Sequence, residues 1–190
     1  MANILMVYGT AYGQTEKIVR RMADRLTTDG HRVTIWKGDE LSVQPGLAGF
    51  DAFLVAGSVL FGRHQRYLVD FVRHNLSRLN AAPGAFVSVC GALAGNWARG
   101  REEAEKYLEK FQDETGWRPQ LARSLAGGVP YTQYGLVTRW MMKLISRATG
   151  RPTDTSKDWD LTDWGAVDEY AMELGAIARA PTAHGVGAGR

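Results

Sequence analysis

The sequence predicts an α/β protein built on a doubly wound parallel sheet, and three observations point there. Short apolar runs alternate with amphipathic helical patterns along most of the chain. The helical stripes between them are long enough to cross from one parallel strand to the next. Three of the apolar runs end in glycine-bearing loops, two of them with hydroxyl residues as well, where ligands of such sheets collect.

The strands are expected at Asn3–Tyr8, Arg32–Lys37, Ala52–Gly57, Ala85–Gly91 and Ala122–Val129. After the first, Ile18, Val19, Met22, Ala23 and Leu26 share one helix face. Leu68, Phe71, Val72, Leu76 and Leu79 do so after the third, and Ala104, Tyr107, Leu108 and Phe111 after the fourth. A last stripe, Trp164, Val167, Ala171, Leu174 and Ala178, has Thr162 or Asp163 as its N-cap. The second connection is the weak one, because Leu41–Phe50 holds Pro45, Gly46 and Gly49 and leaves room for a short helix at most. Between the fifth strand and the last helix an inserted segment, about 130–163, breaks the alternation. Within it Val137, Trp140, Met141, Leu144, Ile145 and Ala148 form an apolar stripe, opposite Arg139, Met142, Lys143, Ser146 and Arg147. Three roles suit this helix: a lid packing Trp140, Leu144 and Ile145 on the sheet, a surface that lies on a membrane, or a partner-docking face.

Length and composition set bounds. With 190 residues the chain is expected to form a single domain over 1–178, followed by a disordered Gly- and Ala-rich tail over 179–190. Its 45% hydrophobic and 23% charged residues are those of a soluble globular protein. A single cysteine excludes an internal disulfide framework and fits a reducing compartment, so a cytoplasmic location is expected, peripheral to the membrane if the insert lies on lipid. No apolar run is long enough for a signal peptide or a membrane span. The net charge of +3 is mild and its cations are scattered, which argues against nucleic-acid binding. No metal-ligand spacing appears.

The loop Thr10, Ala11, Tyr12, Gly13, Gln14 and Thr15 joins the first strand to a helix N-terminus. Free N–H groups and the helix dipole bind phosphate there, and hydroxyls at Thr10 and Thr15 add donors. The loop lacks the lysine of a Walker motif and the spacing of a dinucleotide fingerprint. A lysine-free, hydroxyl-rich loop suits the monophosphate of a flavin nucleotide. The plainer reading is a βα turn with threonine as N-cap. Two further loops, Ser58, Val59, Leu60, Phe61 and Gly62, and Cys90, Gly91, Ala92 and Leu93, are expected to meet it at one crevice. Ser58 and Gly62 can shape a backbone path along a flat ring, and Phe61 or Leu60 can pack on its face, as an isoalloxazine requires. Cys90 reads best as a small buried hydrophobe. His64, just past the second loop, could move a proton, but a lone loop histidine is more often an exposed polar residue. No general base stands out.

Gly9-Thr-Ala-Tyr-Gly-Gln-Thr-Glu16 resembles the phosphate loop of flavodoxins. The resemblance narrows with Trp140 to Gly150, Pro152-Thr-Asp-Thr155 and Thr162-Asp-Trp164, which are similar to the menaquinone-dependent protoporphyrinogen IX dehydrogenases, flavodoxin-like proteins with an insert at this place. The likeness covers nearly all of residues 2–178. It implies a five-stranded sheet of order 2-1-3-4-5 with FMN at its switch point. It also implies oxidation of a porphyrinogen in haem biosynthesis, with electrons passed to a quinone. A substrate with an apolar tetrapyrrole and two carboxylates would use Tyr131, Tyr134, Arg139 and Lys143 of the insert, with Arg63, Arg99 and Arg101 as further cations. The stretch Val129–Arg139 departs from the family in carrying one arginine where relatives carry several. Two alternatives use the same fold: an electron-carrier flavodoxin, which the net positive charge disfavours, and a nicotinamide-linked quinone reductase.

Overall fold

A computed structural model describes residues 1–39, 46–95 and 98–179. Five parallel strands, β1 (Asn3–Gly9), β2 (Arg32–Lys37), β3 (Ala52–Ser58), β4 (Gly84–Cys90) and β5 (Leu121–Ala126), form one sheet of order β2-β1-β3-β4-β5. Successive side chains point to opposite faces, so each strand feeds two cores. Ile4, Met6 and Tyr8 pack on α1 (Gln14–Thr28) and on α6 (Trp164–Arg179). Leu5 and Val7 pack on the opposite layer, which is α2 (Arg66–His74), α3 (Leu76–Asn80) and α4 (Gly100–Thr115). The central strands β1, β3 and β4 are buried almost throughout, which explains their continuous apolar runs.

The expected helix after β3 is two helices, broken at Asn75, whose side-chain amide donates to the Phe71 carbonyl at 2.8 Å. Asp163 caps α6 through the Ala166 N–H at 3.1 Å. Residues 40–45 of the weak second connection, and the tail from residue 180 on, lie outside the described residues. The fifth strand is shorter than its apolar run: it leaves the sheet at Gly127, and β6 (Gly128–Val129) pairs antiparallel with β7 (Trp159–Asp160). This two-stranded ribbon is the base of the insert, which carries α5 (Leu136–Ala148).

The sidedness of α5 corrects the lid reading. Its buried residue is Ser146, from the face expected to be polar, while Val137, Trp140 and Leu144 are 83%, 67% and 48% exposed. Val137, Trp140 and Leu144 of the stripe face away from the sheet, Met141 and Ile145 at its margin line a cleft, and Arg139, on the opposite face, is bound to backbone carbonyls beneath it.

His64 is partly buried, its ring packed against the second core layer. Its ring is edge-on to Phe86 and Phe111, with Nε2 3.0 Å from the Ser88 hydroxyl. This corrects the view of it as an exposed loop residue. Burial, then the nearby Lys110 charge, pushes it down to about 4. An unfolded histidine titrates near 6.5, so between those values the unfolded chain binds the extra proton. Stability is therefore full above about pH 6.5 and falls as pH drops toward 4. Urea unfolding should show about 2 kcal/mol lost between pH 7 and pH 5, and a His64→Leu variant should lose less over the same span. Equal slopes for the two proteins would show that another group is responsible.

Candidate functional site

The carboxyl ends of β1, β3 and β4 open into a cleft of about 470 Å³, closed on its outer side by the insert. It stands at the switch point of the sheet, between outward-running connections on either side of β1 and β3.

The first wall is the β1–α1 loop. Thr10 turns the loop by accepting the Gly13 N–H at 2.8 Å. Gly13 is the N-cap of α1, at φ 85°, a left-handed conformation that glycine takes without a Cβ penalty. No side chain caps the helix, so threonine does not serve as N-cap and the first-turn N–H groups stay free. Thr15 is fully buried and its hydroxyl has no hydrogen-bond partner among the described residues. A buried hydroxyl at an uncapped helix N-terminus is what an incoming phosphate would satisfy. Gly13 and Thr15 stand behind the cleft surface, whereas Thr10, Ala11, Tyr12 and Gln14 line it. Lys17, one turn into α1, lines it as well, a cation that the loop itself lacks.

Ser58 couples this loop to the second wall by accepting the Ala11 N–H at 3.0 Å and the Gln65 amide at 2.7 Å. Beyond it Leu60 and Arg63 exchange backbone hydrogen bonds across a tight turn. Phe61 at φ 49° and Gly62 at φ 74° are its centre. Positive φ at both central residues is the turn type that favours asparagine and glycine, so a phenylalanine there is strained by about 1–3 kcal/mol. Its side chain is 81% exposed at the cleft edge, free to cover a ring. Changing Phe61→Asn should relieve the strain: the apoprotein gains about 1 kcal/mol in urea, while flavin binds less tightly. A variant that lost stability and kept flavin affinity would contradict this division.

The third wall is the 3₁₀ turn Gly91–Leu93. Cys90 and Ala92 are buried yet line the cleft floor, and burial pushes the Cys90 thiol up, away from thiolate. Leu93 points away and packs with Ala104 and Tyr107.

The insert forms the fourth wall and is pinned to the first. Tyr134 meets Tyr12 edge-on at 5.1 Å between ring centres. The Gln14 amide donates to Asp160 and Thr162 at 2.8 Å each. Burial, then the Tyr12 and Tyr131 hydroxyls, pushes the Tyr134 phenol up to about 12, which keeps it neutral. Met141, Met142 and Ile145 of α5 complete an apolar side. Of the expected substrate residues only Tyr134 lines the cleft. Tyr131 is fully buried, with its hydroxyl donating to the Pro152 carbonyl at 2.8 Å. Arg139 donates to the carbonyls of Tyr131 and Tyr134, at 2.9 and 3.2 Å, and holds the turn before α5. Lys143 is exposed and stands off the cleft, as do Arg63, Arg99 and Arg101. One functional candidate escaped the sequence reading: Arg151, half-buried in the cleft wall. It follows Gly150, and a glycine ending a helix is the one local signal that the next side chain turns back.

These walls would suit a mononucleotide flavin: free helix N–H groups and hydroxyls at the end of β1, then the space between the β3 and β4 loops at a parallel-sheet switch point. The chain belongs to the flavodoxin domain family, whose profile matches residues 5–156, and FMN is accordingly its cofactor. Sequence relatives include the protoporphyrinogen IX dehydrogenase [quinone] of Escherichia coli K12, 29% identical over 94% of this chain and 97% of that one. The Leishmania major protein of the same name is 29% identical over 91% of this chain and 74% of its own. Among solved structures, an archaeal flavodoxin superposes with a TM-score of 0.54 at 14% identity, covering 94% of this chain and 99% of that one, a likeness of fold.

Proposed function

We propose that this protein oxidises protoporphyrinogen IX to protoporphyrin IX, a step of haem biosynthesis, and passes the electrons through FMN to menaquinone. The observation that carries the reading is the insert. Phosphate and ring need only the three strand-end loops, yet Tyr134, Met141, Met142 and Ile145 add an apolar wall beside them. Such a wall suits a large flat apolar substrate. The names of relatives that align along almost the whole chain support the same reaction.

FMN, when bound, supplies the acceptor for successive two-electron oxidations. The chain supplies the rest. Thr10, the free first-turn N–H groups of α1 and the Thr15 hydroxyl behind them would hold the phosphate, with Gly13 shaping the turn. Ser58, the 60–63 turn and Gly91–Ala92 orient the ring. Phe61 and the α5 side chains Met141, Met142 and Ile145 exclude water and bind the macrocycle. Tyr131 and Arg139 serve this surface indirectly, by holding the insert's shape.

No helix among the described residues is long and apolar enough to cross a membrane. We place a peripheral lipid contact on α5, where Leu136, Val137 and Trp140 are mostly exposed and Lys143 and Arg147 flank them. A Trp140→Ser, Leu144→Ser variant should lose roughly tenfold or more in affinity for anionic vesicles while retaining FMN. Unchanged co-sedimentation would remove the lipid contact.

The reaction is tested by anaerobic porphyrin fluorescence. FMN-loaded protein and protoporphyrinogen IX should give a catalytic rise only with a menaquinone analogue present. No rise, from protein whose spectrum shows bound FMN, would keep the flavin and discard the substrate.

A further inference from the structure

Arg151 is the unexplained charge of the cleft. Its backbone N–H donates to the Ser146 carbonyl at 2.9 Å, just after Gly150 at φ 70°, and this turn throws the side chain back across the β4 loop. A Cβ on Gly91 would stand 3.2 Å from its Nη1, and one on Gly95 2.9 Å from its Cγ. Its Nε is buried with no hydrogen-bond partner among the described residues. Around the guanidinium stand Cys90, Tyr131, Tyr134 and Tyr107; Asp158 and Asp160 line the same cleft, but among the described residues no carboxylate comes within ion-pair distance of Arg151. Burial holds it below the usual arginine range. A cation withdrawn from water and left unpaired is costly unless a ligand brings the anion.

On the FMN reading, on which this inference rests, the phosphate cannot be that anion. It belongs to the end of β1, and β4 lies two strands away, about 10 Å across the sheet. The ring lies between. Its pyrimidine edge carries carbonyl acceptors, and uptake of two electrons and one proton leaves a negative charge spread over N1 and the C2 carbonyl. We propose that Arg151 receives this edge, binds reduced FMN in preference to oxidised FMN, and so raises the potential at which the protein accepts electrons. Arginine suits the role, since its planar fork matches two adjacent acceptors and its charge survives partial burial. The insert then has two tasks: its helix lines the substrate side, and its return strand delivers the cation that tunes the cofactor.

The test is the midpoint potential of bound FMN, measured against free FMN in one buffer for wild type, Arg151→Met and Arg151→Lys. Wild type should sit at or above free FMN. Arg151→Met should lose roughly tenfold in preference for the reduced form, about 30 mV for a two-electron couple. Arg151→Lys should keep most of that preference. A wild-type potential far below free FMN overturns the proposal whatever the variants do. So does an Arg151→Met protein that retains FMN at the wild-type potential. If that variant also shows a tenfold higher KM for protoporphyrinogen IX, the anion is the substrate's carboxylate instead. If Arg151→Met fails to hold FMN, wild type and Arg151→Lys decide. Wild-type protein that binds no FMN at all removes the cofactor reading, and this proposal with it.

Discussion

Replacing Thr15 by Val is expected to weaken FMN binding roughly 10- to 100-fold without unfolding the protein. The side chain is fully buried in the first turn of α1 and its hydroxyl finds no partner among the described residues. Valine keeps the shape and removes only the donor. A hydrogen bond to a charged group contributes about 1.5–3 kcal/mol, which sets the range of affinity lost. The apoprotein should be as stable as wild type, or slightly more so, because an unsatisfied buried hydroxyl disappears. FMN fluorescence quenching and apoprotein urea unfolding check the two halves. Equal affinity would remove the phosphate from this loop, whereas a collapse in stability would make Thr15 a packing residue.

A second large effect is expected at Gly95. Its φ is 116°, and a Cβ there would come within 2.6 Å of the Thr149 carbonyl and 2.9 Å of the Arg151 side chain. The nearer atom is backbone and cannot swing aside. Gly95→Ala combines a left-handed non-glycine residue with overpacking, about 2–4 kcal/mol together. The sheet is remote from this contact, so the cost falls on the docking of the insert against the β4 loop. Hydrogen exchange over 131–151 should accelerate while the strands keep their protection. Flavin should still bind through the phosphate loop, but porphyrinogen turnover should fall with the lost wall. Unchanged exchange in the insert would mean that this contact does not hold it.

The sheet and the ligand loops were legible because their signals are local. A strand buried on both faces reads as a continuous apolar run, and β1, β3 and β4 are such strands. The loop 10–15 reads as an anion site because helix N-termini need partners whatever surrounds them. The insert was legible as a helix, with its orientation open between a buried and an exposed stripe. Periodicity locates a stripe but does not say what the stripe faces. Here Arg139 spends its donors on backbone carbonyls, so Arg139 turns inward while Trp140, beside it, turns outward. Tyr131 was misplaced for the same reason, since its burial depends on Pro152, twenty-one residues on. Arg151 left only the glycine before it as a signal, because its place in the cleft follows from the packing of two loops that meet only in the fold.

Electron transfer from a porphyrinogen to FMN in this cleft is the expected reaction. It is tested most directly by anaerobic rapid mixing of FMN-loaded protein with protoporphyrinogen IX, following flavin absorbance and porphyrin fluorescence together. Bleaching of the bound flavin as porphyrin appears, and its recovery when a menaquinone analogue is added, is the predicted result. A flavin that stays oxidised in the presence of porphyrinogen, although dithionite reduces it, would contradict the account.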